Sequence, residues 1–358
     1  MNKMIDRIIW AYIVASLLAI SAGCTSASVE RQLQAAEAIM DTSPDSALTI
    51  LQTIDRSDLG DEHRARCALL LSQAYDKTLT DIADDSLISI AFDYYSRSKD
   101  APPRRRMMTF YYKGVTSYYH NDYQTAIYNL TIADSIAARV NDWTYRGLSN
   151  SLMSFSFKDF SDLERELDYS KRALNFFRLE GDSVHIRNQL YSVGLAFDQL
   201  KQYDSAMVYF DQAGYDFSSW GVASSLLGAG RIEDFQNHQD RFPHLAADPI
   251  IQGRYAKLLI DKLRYEEASE VLQRVQPRLD SSNDTIQWLI PHAYLMLANS
   301  DWSAYSTDLQ HLLQDEIDQN HLIKQKYSPA GQAMAIEYLA LDDLRTSKAK
   351  RARLYMAH

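Results

Sequence analysis

The chain has 358 residues, 46% of them hydrophobic, and carries 37 Lys and Arg against 47 Asp and Glu, a net charge of -10. That balance argues against nucleic acid as a partner, because neutralising phosphates takes a concentrated basic surface. Its only cysteines, Cys24 and Cys67, cannot make a disulfide framework or a pair of Cys-x-x-Cys zinc motifs.

At the N-terminus Lys3 and Arg7 precede a run of uncharged, mostly apolar residues from Ile8 to Ile20, and Ser21, Ala22, Gly23 and Cys24 follow. As a helix, residues 8–23 would rise only about 24 Å, short of the roughly 30 Å hydrocarbon core, so the segment reads as a secretory signal and not as a membrane span. A Cys directly after small residues resembles the lipobox of bacterial lipoproteins, although Ser21 stands where that motif prefers Leu. The resemblance implies removal of residues 1–23, acylation of Cys24, and a mature chain anchored by lipid to a membrane of the cell envelope, the outer membrane being the expected one. The alternative is an ordinary signal peptidase, with Cys24 incidental.

A first helical hairpin can be drawn from Val29 to Ile54, with Ala35 and Ala38 on one helix, Ala47, Leu51 and Ile54 on the next, and a break at Ser43 and Pro44. A second runs from Arg64 to Ser98, with an enlarged loop between Asp76 and Asp85 and an end marked by Pro102 and Pro103. Cys67 lies among Ala65, Ala68 and Leu69, which predicts a buried free thiol. Arg104, Arg105 and Arg106 then read as a solvated helix start, the alternative being a grip on an acidic partner.

From Met107 to Ala213 the pattern repeats at an interval of about forty residues. Gly114 pairs with Gly194, Ala126 with Ala206, and Ala133, Ala173 and Ala213 fall on one period. Asn141, Gly181 and Gly221 share that period, and each is expected to end a helix in the left-handed region. One period therefore reads as two helices and a stop. The order Phe110, Gly114, Tyr118, Tyr123, Ala126, Leu130, Ala133 resembles the tetratricopeptide repeat, and Leu190, Gly194, Phe197, Tyr203, Ala206, Phe210, Ala213 restate it. The family period is about 34 residues, so these helices should be longer. The middle copy departs with Glu166 and Ser170, the usual Trp is Phe110 or Leu190, and the closing Pro is missing. The resemblance implies an all-α fold, an α-α superhelix of stacked hairpins, against the plainer alternative of a non-repetitive helical bundle.

Residues 24–213 are thus expected to form an N-terminal solenoid. Residues 214–253 hold five of the twelve glycines and read as a shortened repeat or a hinge, with residues 254–358 supplying C-terminal helical repeats and a capping helix. Ala256, Leu259, Tyr265, Ala268 and Leu272 make one further hairpin and Ala293, Met296, Trp302, Leu309 and Leu312 another. Gly331 to His358 reads as the closing helix, with Lys348, Lys350, Arg351 and Arg353 at its tip.

No catalytic constellation emerges, and no cofactor or metal is expected. Gly228 and Gly230 lack the Lys-Ser or Lys-Thr of a phosphate loop. His238, Asp240 and His244 come nearest to a ligand cluster. Glu164, Glu166 and Asp168 alternate along a helix, which spreads them over different faces and suggests solvated charge. What remains is a groove. In the family the first helix of each hairpin lines the concave side, which points to Tyr111, Val115, Tyr118 and Tyr119 in one repeat and Tyr191, Leu195 and Asp198 in another. Aromatics there would give contact area at low entropic cost, the alternative being that they pack against the next repeat. The expected function is a non-catalytic, lipid-anchored scaffold that binds a protein or peptide. The alternative is a sensory module acting with a separate signalling subunit.

Overall fold

The computed structural model describes residues 27–80, 85–275 and Pro291, and among them every regular element is helical. The signal segment, Cys24, the hairpin expected from Ala293 to Leu312 and the closing helix lie outside the described residues. The chain is an all-α protein in which consecutive helices pack as antiparallel hairpins. In order the helices are α1 (27–39), α2 (Pro44–Gln52), α3 (Asp61–Lys77), α4 (Ser86–Tyr95), α5 (Pro103–Tyr119), α6 (Tyr123–Val140) and α7 (Trp143–Asp159). They continue as α8 (Leu163–Glu180), α9 (Ser183–Gln199), α10 (Tyr203–Ala213), α11 (Ser219–Gly228), α12 (Ile232–Arg241), α13 (Pro249–Asp261) and α14 (Tyr265–Arg274). The chain divides into two compact units, Met1–Ser156 and Phe157–His358, with the boundary inside α7.

The backbone reason for the period is a turn. Asn121, Ser161 and Lys201 take φ of 60°, 60° and 58°. The next amide, of Asp122, Asp162 or Gln202, then donates to the carbonyl of Ser117, Phe157 or Phe197 at 2.9 Å, closing the end of each first helix as a Schellman motif does. Leu79, Gly230 and Leu263 repeat this geometry. Aspartates start two of the helices that follow, Asp122 and Asp162 accepting from Thr125 N and Arg165 N at 3.1 Å, and Asp248 starts α13 by accepting from Ile251 N at 2.9 Å. Asn141 and Gly181 end α6 and α8 in the left-handed region, as their spacing predicts. Gly221 does not. Helix α10 has 11 residues where α6 and α8 have 18, so it ends at Gly214 (φ 102°), and Gly221 lies inside α11.

Gly221 is instead a packing glycine. A Cβ placed there would sit 2.6 Å from Cζ of Phe210, and one placed on Gly194 would sit 2.6 Å from Cδ1 of the same ring. Phe210 is fully buried between these two backbones, at the centre of the second unit's core. Gly114 plays the equivalent part in the first unit, where a Cβ would meet Cγ of Leu130 at 2.7 Å. Both repeat glycines therefore mark close helix crossings.

In the first unit α1 turns Leu33 and Ala36 inward, Met40 just after it is also buried, and Ala35 and Ala38 on the same helix are exposed. Cys67 is buried and free. The arginine run is not simply solvated, because Arg105 bonds Glu62 of α3 at 2.6 Å and Arg106 Nε donates to the Tyr95 carbonyl of α4 at 3.1 Å. In the second unit residues 214–253 hold the short hairpin of α11 and α12, turned at Gly230 (φ 73°).

Candidate functional site

The residues expected to line a groove have different fates. Tyr111 and Val115 are 7% and 2% exposed and belong to the core of the first unit. The Tyr111 ring meets Tyr112 and Tyr145 edge-on at 5.0 and 5.2 Å, and α3 and α4 both pack on α5. These two are therefore structural. Tyr118 is half-buried against Tyr119 and Tyr123, while Tyr119 is exposed. Tyr191 packs on Phe210 and Phe217, both at 5.5 Å, and Leu195 rests on the second unit's core, each of them partly buried. Asp198 lines a cavity.

That cavity, of about 490 Å³, is built by the first helices of three successive hairpins. Asp198 and Gln199 come from the end of α9, Ser224, Leu227 and Gly228 from α11, and Arg254, Lys257 and Asp261 from α13, with Lys201 and Tyr203 at the α9–α10 turn. One polar chain ties the three helices. Ser224 and Ser225 donate to the two oxygens of Asp198 at 2.8 and 2.6 Å, and the Arg254 guanidinium donates to the Ser224 hydroxyl. Arg254 also lies over the Trp220 ring at 5.5 Å, and Trp220 Nε1 donates to Asp248 at the start of α13. Lys257 pairs with Asp261 at 2.7 Å. Gly228 lets α11 approach the α9–α10 turn, since a Cβ there would sit 2.6 Å from Cζ of Tyr203. The short Gly-rich hairpin is thus what brings α9 and α13 onto the two sides of α11.

Behind this wall lies a carboxyl group that the alternation argument misplaces. Glu164 and Asp168 are exposed, but Glu166 is only 4% exposed. Its Oε1 accepts from Gln199 Nε2 at 3.2 Å and its Oε2 has no partner. Burial pushes its pKa up to about 7, with Lys158 and the Gln199 bond opposing the rise and Asp159 adding to it. The sequence signal was present: in the forty-residue register position 166 holds Ala126 and Ala206 in the flanking hairpins, both fully buried.

Among the described residues, no group of three or more His, Cys, Asp or Glu could hold a metal ion, and no helix is long and apolar enough to cross a membrane. His238 is buried with its Nε2 2.8 Å from the Ser219 carbonyl, and His244 Nε2 lies 3.3 Å from the Ser219 hydroxyl. Both histidines hold the start of α11.

No family model and no curated protein matches the chain. Among solved structures it is similar to a Signal Transduction ATPase with Numerous Domains protein with a tetratricopeptide repeat sensor from Pyrococcus horikoshii, at 14% identity and a TM-score of 0.42. That match covers 84% of this chain but only 44% of the other, so the chain spans less than half of that protein's length. It is also similar to a Rap protein complexed with Competence and Sporulation Factor, at 12% identity and a TM-score of 0.49, covering 89% of this chain and 99% of that one.

Proposed function

We propose that this chain is a non-catalytic scaffold that takes a protein or peptide segment into the groove between α9, α11 and α13, and that lipid on Cys24 holds it on a bacterial envelope membrane. The observation that carries the groove is the Asp198–Ser224–Arg254 chain, which fixes three consecutive first helices around one cavity. Its volume lies within the roughly 300–1,000 Å³ of ligand sites. Its walls mix both charge signs with the apolar Leu227 and Leu258, which suits a segment that alternates polar and apolar side chains better than a bare ion.

The test is selection of peptides from a displayed random library on the purified full chain. Selected peptides should lose binding to Leu258→Trp, which fills the cavity, and to Lys201→Glu, which reverses an exposed charge at its rim and should leave melting unchanged. Peptides that bind both variants as tightly as the native chain would place the binding surface elsewhere. Anchoring is read separately by fatty-acid labelling, which should vanish in Cys24→Ser.

A further inference from the structure

The Glu166 carboxyl is separated from the groove by one side chain. Gln199 lies in the cavity wall and its Nε2 donates to Glu166 Oε1 at 3.2 Å, while the neighbouring Asp198 points to Ser224 and Ser225. We propose that Glu166 is a proton-operated switch for the groove, in which gain or loss of a proton at its buried carboxyl resets how Gln199, and with it the α9 wall, is held.

The chemistry follows from donor and acceptor counting. As the anion, Glu166 offers two acceptor oxygens and receives one hydrogen bond from the protein, leaving the buried Oε2 without a protein partner. The Gln199 carboxamide oxygen is repelled by that charge, so the two groups share a single contact. After a proton from solvent binds Oε2, the group becomes a donor, and a carboxylic acid facing a primary amide can close a two-point pair. Its carbonyl keeps the Gln199 N–H, and its O–H reaches the Gln199 Oε1. Forming that second bond requires the carboxamide to turn until its oxygen also faces the Glu166 carboxyl.

The surroundings leave the decision to this proton. The charges acting on Glu166 are Lys158, which favours the anion, and Asp159, which disfavours it, both at the end of α7, and α9 presents the uncharged Gln199. Burial lifts the group's titration to about 7, where a small change in pH changes its state. Stability alone gives no reason for a carboxyl here, since the corresponding residues of the flanking hairpins are Ala126 and Ala206.

The switch rests on the groove reading for its purpose but not for its measurement. In the full chain with labelled Glu and Gln side chains, the Glu166 carboxyl carbon and the Gln199 side-chain amide are followed by NMR from pH 5 to 9. Both should titrate with one midpoint near 7, the Ser224 and Ser225 amides should follow, and the Gln199, Ser224 and Ser225 amides should be flat in Glu166→Gln. A Glu166 signal that titrates near 4, or a Gln199 amide that stays still while Glu166 titrates, overturns the switch. Neither outcome depends on a bound peptide, so failure of the peptide selection would remove the groove reading and leave this result standing.

Discussion

The ring of Phe210, held between Gly194 and Gly221, gives a double-mutant cycle whose outcome can be worked out in advance. In Gly194→Ala the new methyl would lie 2.6 Å from Phe210 Cδ1, against the ~3.5–4.0 Å of a relaxed carbon contact, so the ring must retreat by about 1 Å. It has nowhere to go, because a Cβ built on the opposite glycine, Gly221, already lies 2.6 Å from Cζ. Overpacking of this kind costs about 1–3 kcal/mol, offset by up to about 1 kcal/mol from replacing a mid-helix glycine. Gly194→Ala should therefore destabilise the second unit by about 1–2 kcal/mol. Phe210→Ala, which empties a fully buried site, should cost about 3–5 kcal/mol. In that background the added methyl meets no ring, and Gly194→Ala should become stabilising by up to about 1 kcal/mol. The sign reversal corresponds to a coupling of about 2 kcal/mol, read from urea midpoints followed by Trp220 fluorescence with the other tryptophans replaced by Phe. Additivity within about 0.5 kcal/mol would refute the reasoning.

Two further outcomes follow from the same packing. Tyr111→Ala should destabilise the first unit by about 3–5 kcal/mol while Tyr119→Ala changes melting by less than about 0.5 kcal/mol, and equal melting of the two variants would mean that Tyr111 is not core. Because the folded pKa of Glu166 is raised, its contribution to stability is full below the ordinary carboxyl value of 4.5 and is lost as pH rises to about 7. Glu166→Gln should remove that slope and exceed the native chain above pH 7 by up to about 3 kcal/mol, at ~1.4 kcal/mol per tenfold. Urea midpoints that run parallel from pH 4.5 to 8 for the two proteins would contradict it.

Local chemistry was legible in the sequence alone. The forty-residue period, the helical class, the helix ends at Asn141 and Gly181, and the close crossings at Gly114 and Gly194 all follow from residues whose backbone needs are met within one hairpin. Even there a local signal was hidden, since Asn121, Ser161 and Lys201 take left-handed turns without a glycine to announce them. Tertiary packing decided the rest. Whether Tyr111 faces solvent depends on Tyr145, 34 positions on, and whether Gly221 ends a helix or admits a ring depends on how early α10 stops. Glu166 looks solvated in a charged, alternating stretch and is buried because α9 closes over it. The groove exists only where Asp198 finds Ser224 and Ser225 across 26 and 27 residues. Spacing along one helix says which residues share a face, but only the neighbouring helix determines whether that face meets water, a core or a ligand.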